Sequence, residues 1–79
     1  MSNDSTPPTP NTLALRGDHI TLAQALKVAG LADTGGQAKV RVREGDVTVN
    51  GVVERQPGRK LRGGDRFGIA GGPEWTISA

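Results

Sequence analysis

Two hydrophobic periods divide this chain. Residues 21–31, "TLAQALKVAGL", place Leu22, Ala25, Leu26 and Ala29 at spacings of three and four, the repeat of one helical face. Thr21 and Gln24 stand at capping-box spacing ahead of that run, and Gly30 supplies the stop. Residues 47–54, 66–70 and 74–78 alternate with period two instead, as half-buried strands do. Within "VTVNGVVE" the Asn50-Gly51 pair between valines is the strongest short hairpin signal a sequence offers. "QPGRK", "RGGD" and "GGP" read as turns, and "TLALRG" (12–17) alternates weakly, as a short edge strand would.

Between these parts the two periods compete. Thr34 and Gln37 repeat the capping-box spacing and predict a second helix over 35–44, with Ala38 and Val42 as its apolar stripe and Gly45 as its end. Basic charge near its C-terminus would suit the helix dipole. Val40 fits no such stripe. As strands, Val40 and Val42 would share a face and "EGD" would become a three-residue hairpin loop. The pattern alone leaves helix and strand level.

Composition narrows the class. Seventy-nine residues make a single domain of modest stability. The Ser-, Thr- and Pro-rich residues 1–11 cannot support a core, so we expect a disordered tail there and one domain over 12–79. The absence of cysteine excludes a disulfide framework and thiolate metal sites. No run approaches the roughly 20 apolar residues of a membrane span, and the N-terminus lacks the basic start and apolar stretch of a signal peptide.

Charge adds a candidate surface. Seven basic residues (Lys39, Arg41, Arg43, Arg55, Arg59, Lys60 and Arg62) face three acidic ones (Glu44, Asp46 and Glu54) between positions 39 and 62. Such a cluster is either a solvated face or the footprint of polyanion binding. Catalysis finds little material. The one histidine, His19, sits just before a helix cap, and no carboxylate pair, Ser-His pairing or metal-ligand spacing occurs. "GIAGG" lacks the Lys-Ser/Thr ending of a phosphate loop. Phe67 and Trp75 are the only aromatics, and both stand where core packing is the default, so a base-stacking platform is excluded.

In order, the pieces resemble the S-four (S4) RNA-binding domain, the helix-helix-strand or alpha-L module named after a small-subunit ribosomal protein. Ala38, Val42, Gly45, Val47, Val49, Asn50 and Gly51, followed by Gly64-Asp65, carry the likeness, which spans residues 20–70. The short length and the "TGGQAK" opening look most like the small stand-alone bacterial members. The resemblance implies an α+β fold, two short helices packed on a small, mainly antiparallel sheet, with 35–44 as the second helix. Val40 is then expected to pack against the C-terminal sheet.

The same resemblance implies a cytoplasmic, non-catalytic module without cofactor. It would grip structured RNA, ribosomal or transfer RNA, beside a ribosomal or ribonucleoprotein partner. Lys39, Arg41 and Arg43 would line one side of the surface, with Gly36 and Gln37 at the helix start. Arg55, Arg59, Lys60 and Arg62 would line the other. Asn50 is a candidate base contact, although an Asn-Gly turn needs that residue for backbone reasons. Two departures stand out: Gly35-Gly36 replace an arginine that many members carry, and Arg41 replaces a common apolar residue. The rival reading is a protein-interaction adaptor whose basic face docks an acidic partner.

Overall fold

The computed structural model describes residues 11–79. Seven strands and two helices follow one another as β1 (Thr12–Ala14), β2 (Ile20–Thr21), α1 (Leu22–Val28), α2 (Gly35–Arg43), β3 (Val47–Val49), β4 (Val52–Val53), β5 (Lys60–Leu61), β6 (Arg66–Ile69) and β7 (Glu74–Ser78). The fold is α+β. Residues 1–10 of the expected tail lie outside the described residues, and the carbonyl of Asn11 accepts a hydrogen bond of 2.9 Å from the Thr76 N–H.

Five strands form a sheet in the order β1-β7-β6-β3-β4, parallel between β1 and β7 and antiparallel elsewhere. Its registers pair Val49 with Phe67, Phe67 with Trp75, and Leu13 with Ile77. The period-two pattern therefore gathers Leu13, Val47, Val49, Phe67 and Ile77 on one buried face. Thr48, Arg66, Glu74 and Thr76 take the other, where Arg66 and Glu74 form an ion pair of 3.3 Å. The helices cover the apolar face through Leu22, Ala25, Leu26, Ala38 and Val42, all fully buried.

A second sheet, the pair β2-β5, had no sequence signal. Two-residue strands are too short to show a period. It nevertheless fixes α1, because Leu22 and Ala23 donate their N–H groups to the carbonyls of Arg59 (2.8 Å) and Pro57 (3.0 Å). These are the helix-start donors that lack intrahelical partners. Thr21 and Gln24 complete the expected capping box.

Both helices end alike. In α1, Gly30 (φ +77°) follows the cap, with Gly30 N–H on Lys27 O and Leu31 N–H on Leu26 O. In α2, Gly45 (φ +82°) takes that place, with Gly45 N–H on Val42 O and Asp46 N–H on Arg41 O. Each is the paired-bond stop that a left-handed glycine permits. The contested stretch 35–44 is thus helical, and Thr34 caps it by accepting the Gln37 N–H at 3.1 Å.

Gly68 shows why the β6-β7 hairpin closes tightly. A Cβ there would lie 2.6 Å from the Pro73 carbonyl oxygen and 3.3 Å from Glu74 Cα, both backbone atoms that cannot swing away. Gly68→Ala is expected to cost about 1–3 kcal/mol, the range of overpacking. In a domain this small each kcal/mol lowers Tm by roughly 4–8 °C. Gly58→Ala, where a Cβ meets nothing within 4 Å, is the control and should shift Tm little. Equal midpoints for the two variants in thermal denaturation would contradict this account of the hairpin.

Candidate nucleic-acid interface

The surface of α2 is set by what it buries. Only Ala38 and Val42 turn inward, and Lys39, Val40, Arg41 and Arg43 are exposed. On a helical wheel Val40 lies opposite the Ala38–Val42 stripe. Val40 therefore does not pack on the C-terminal sheet, as expected from sequence; it is 52% exposed at the centre of the outward face. Lys39 and Arg43, one turn apart, flank it on one side, and Gln37 and Arg41 on the other. Gly36, Gln37, Val40 and Arg41 line a shallow depression of about 380 Å³.

At the start of α2, Gln37 works for the backbone. Its N–H goes to Thr34 Oγ1, and its Oε1 accepts the Asp33 N–H at 3.0 Å. The side chain thus reaches one residue further back than the capping box that sequence spacing suggests. Gly35 and Gly36, at the first two helical positions, keep N–H groups with no intrahelical acceptor.

The cations of the 54–62 loop divide into groups with different work. Arg55 lays its guanidinium over Gly45 and donates from Nη1 to the Arg43 carbonyl at 3.2 Å. A cation at that helix end also meets the negative pole of the dipole. It joins the loop to α2 and puts a second charge beside Arg43. Arg59 pairs with Glu54 at 2.8 Å, and that hydrogen bond is the main cause holding the Glu54 carboxyl below its ordinary pKa. Lys60 and Arg62 are exposed and carry no ion pair among the described residues. No hydrogen bond or ion pair among the described residues joins the side chain of either to the α2 cations.

Asn50 belongs to the framework. With Asn50 at φ +52° and Gly51 at +83°, the hairpin turn has both central residues left-handed, as a tight two-residue turn requires. The Asn50 side chain is engaged at both ends. Its Nδ2 donates to Asp65 Oδ1 (3.2 Å) and its Oδ1 accepts the Arg66 N–H (2.9 Å). Asp65 Oδ2 accepts the Arg62 N–H at 2.8 Å, closing the Gly63-Gly64 turn. One carboxylate thereby ties the β3-β4 hairpin to the turn before β6. This places Asn50 with the scaffold rather than among free contact groups.

Sequence reasoning overlooked a second basic cluster. Arg16, His19 and Lys27 line a groove between β1, β2 and α1, together with Trp75. Gln24, Lys27 and Val28, spaced three and four along α1, were the available signal.

A pair of capped helices presenting an open, cation-bracketed face above a small sheet defines an alpha-L module, and the chain belongs to the S4 domain family, whose model matches residues 13–77. It is 38% identical over 53 residues, 67% of its length and 76% of the relative's, to the Escherichia coli (strain K12) protein named "Putative RNA-binding protein YbcJ". Over 61 residues, 77% of this chain and 86% of the relative, it is 39% identical to "Probable ribosome maturation protein RlbA" of Bacillus subtilis (strain 168). The fold also matches the solution structure of E. coli YbcJ, with a TM-score of 0.69 at 29% identity and full coverage of both chains. That structure is described as revealing an "alfaL" motif involved in RNA binding.

The Asp65 clasp gives a test in acid. Donation from the Arg62 N–H is the main cause that lowers the Asp65 pKa, opposed by desolvation and assisted by Asn50. A depressed folded pKa contributes stability that is fully present above the ordinary aspartate value, near 4. It is lost as pH falls through the lower folded value. Asp65→Asn should therefore lower Tm at neutral pH and flatten its decline below about pH 4. Some decline remains, because Glu54 is also held low. Parallel Tm–pH curves for the two proteins would remove the carboxylate from this role.

Proposed function

We propose that this chain is a non-catalytic RNA-binding module that grips structured RNA through the outer face of α2 and the adjoining 54–62 loop. One observation carries the reading. Lys39, Arg41 and Arg43 bracket an exposed helix face, and none has an acidic partner among the described residues, whose ion pairs are Arg59–Glu54 and Arg66–Glu74. Unneutralised cations at helical spacing suit a row of phosphates, and the shallow depression beside Gly36 lets a backbone approach closely. Arg55 extends the charge past the helix end, and Lys60 and Arg62 add to it from the loop.

Ribosomal RNA is the proposed target, and the cytoplasm the proposed site of action. The name of the Bacillus relative, "Probable ribosome maturation protein RlbA", supports the ribosomal target. Phe67 is fully buried, and the half-buried Trp75 lies in the groove beside β1, so neither offers a stacking platform on this face. Recognition then rests on charge and shape, with little sequence selectivity. Binders of this kind have Kd values of roughly 10⁻⁴–10⁻⁶ M at physiological salt.

The test is binding to two unrelated structured RNAs, with duplex DNA of equal length alongside, across a salt series. Lys39→Ala combined with Arg43→Ala should weaken both RNAs about equally, by roughly tenfold. The slope of log K against log salt should fall by about 0.7–0.9 for each phosphate that no longer meets a cation. Both side chains are exposed, so Tm should hold. A large loss for one RNA with none for the other would overturn the phosphate-grip reading.

A further inference from the structure

We propose that Asn50-Gly51 is a spontaneous deamidation site that the Asp65 clasp holds in check, and that conversion of Asn50 to a carboxylate opens the clasp for good. Asparagine is among the chemically labile side chains, and this is the chain's only Asn-Gly pair. A following glycine leaves the attacking main-chain nitrogen unshielded. Both residues are exposed, and a Cβ added at Gly51 would meet nothing within 4 Å.

The reaction needs only water. The Gly51 nitrogen bonds to Asn50 Cγ, and the Cγ–Nδ2 bond breaks. The proton lost from the Gly51 nitrogen passes through solvent to Nδ2, which leaves as ammonia. The succinimide ring so formed then adds one water. Opening at one carbonyl gives aspartate, and opening at the other gives isoaspartate, whose main chain runs through the former side-chain carbon. No oxidation state changes.

Ring closure requires Cγ to swing over the Gly51 nitrogen, and the fold holds it elsewhere. Asn50 Nδ2 donates to Asp65 Oδ1 at 3.2 Å, and Asn50 Oδ1 accepts the Arg66 N–H at 2.9 Å. The amide is thereby turned toward β6 rather than along its own chain. Its main chain is fixed as well, left-handed at φ +52° with the Asn50 N–H on Arg66 O at 2.7 Å. These bonds to a distant segment must loosen before the ring can close, so conversion proceeds through local opening.

Conversion to aspartate then acts on the same contacts. One carboxylate oxygen still accepts the Arg66 N–H. The other stands where Nδ2 stood and faces Asp65 Oδ1 with no proton between them. Donation from the Arg62 N–H holds the Asp65 carboxyl below its ordinary pKa, so it is charged at neutral pH. A bond thus becomes a repulsion between two carboxylates. Isoaspartate, with its added main-chain carbon, does not fit the two-residue turn that pairs Val49 with Val52. Either product favours the open clasp, so the change maintains itself.

The test follows the full chain at neutral pH by mass spectrometry. Trypsin, cutting after Arg43 and Arg55, releases peptide 44–55, in which Asn50 is the only side-chain amide. The folded chain should convert at least about tenfold more slowly than the same chain unfolded in guanidinium chloride. Asp65→Ala removes the acceptor of Nδ2 and should speed conversion in the folded chain about tenfold. Asn50→Asp makes the product directly and should lower Tm by about 4–8 °C. Aspartate tolerates the left-handed turn position, so that loss reports the charge. Asn50→Asp combined with Asp65→Asn exchanges donor and acceptor across the clasp and should recover most of the loss.

Equal rates in the folded and unfolded chain would overturn the proposal, as would an unchanged rate in folded Asp65→Ala or an unchanged Tm in Asn50→Asp. Where Asp65→Ala fails to fold, the folded-to-unfolded rate ratio and the exchanged pair decide. No readout involves RNA, so failure of the RNA reading and failure of this one are separate results.

Discussion

Two side chains hold α2 to the rest of the domain. Ala38 and Val42 are its only buried residues, and a stripe that narrow anchors a nine-residue helix weakly. The local structure compensates at both ends. Thr34 takes one helix-start N–H, Gly45 allows the paired-bond stop, and the Arg55 guanidinium closes over the last turn. Because these caps carry so much of the helix, its outer face is relieved of structural duty. That freedom lets Val40 stand exposed between cations.

The basic residues of one sequence cluster consequently do different jobs. Arg55 and Arg59 each have an internal partner, the Arg43 carbonyl and the Glu54 carboxylate, and they shape the loop that receives the first N–H groups of α1. Lys39, Arg41, Lys60 and Arg62 have no side-chain partner among the described residues, and their charge stays unneutralised. Arg43 is intermediate: its carbonyl serves the scaffold while its side chain stays with the outer face. Charge counting along the chain cannot make this division. It depends on which carboxylate or carbonyl the fold brings within about 3 Å.

The sheet has two edges, handled differently. β4 is only two residues long, and its exposed valines, Val52 and Val53, follow a turn pinned to Asp65 and Arg66 through Asn50. A short, strongly turned edge offers little to a pairing strand. β1 is flanked instead by α1 and by β2, which roof a groove over it. The same sheet thus ends in a short, turned hairpin on one side and beside a groove on the other.

What the sequence determined by itself is local. The Thr21–Gln24 capping box, the stops at Gly30 and Gly45, the Asn50-Gly51 turn and the alternation of β3, β6 and β7 all follow from interactions within about five residues, where residue type and spacing suffice. At 35–44 local signals conflicted, and the likeness to S4 domains carried the choice of helix. Long-range decisions remained for the tertiary structure. It formed the β2-β5 pair from strands too short to show a period, and it turned Val40 away from the sheet. It also spent both ends of the Asn50 amide on Asp65 and Arg66, 15 and 16 residues away. Each outcome depends on which distant surface meets a side chain, and spacing along the chain does not encode that meeting.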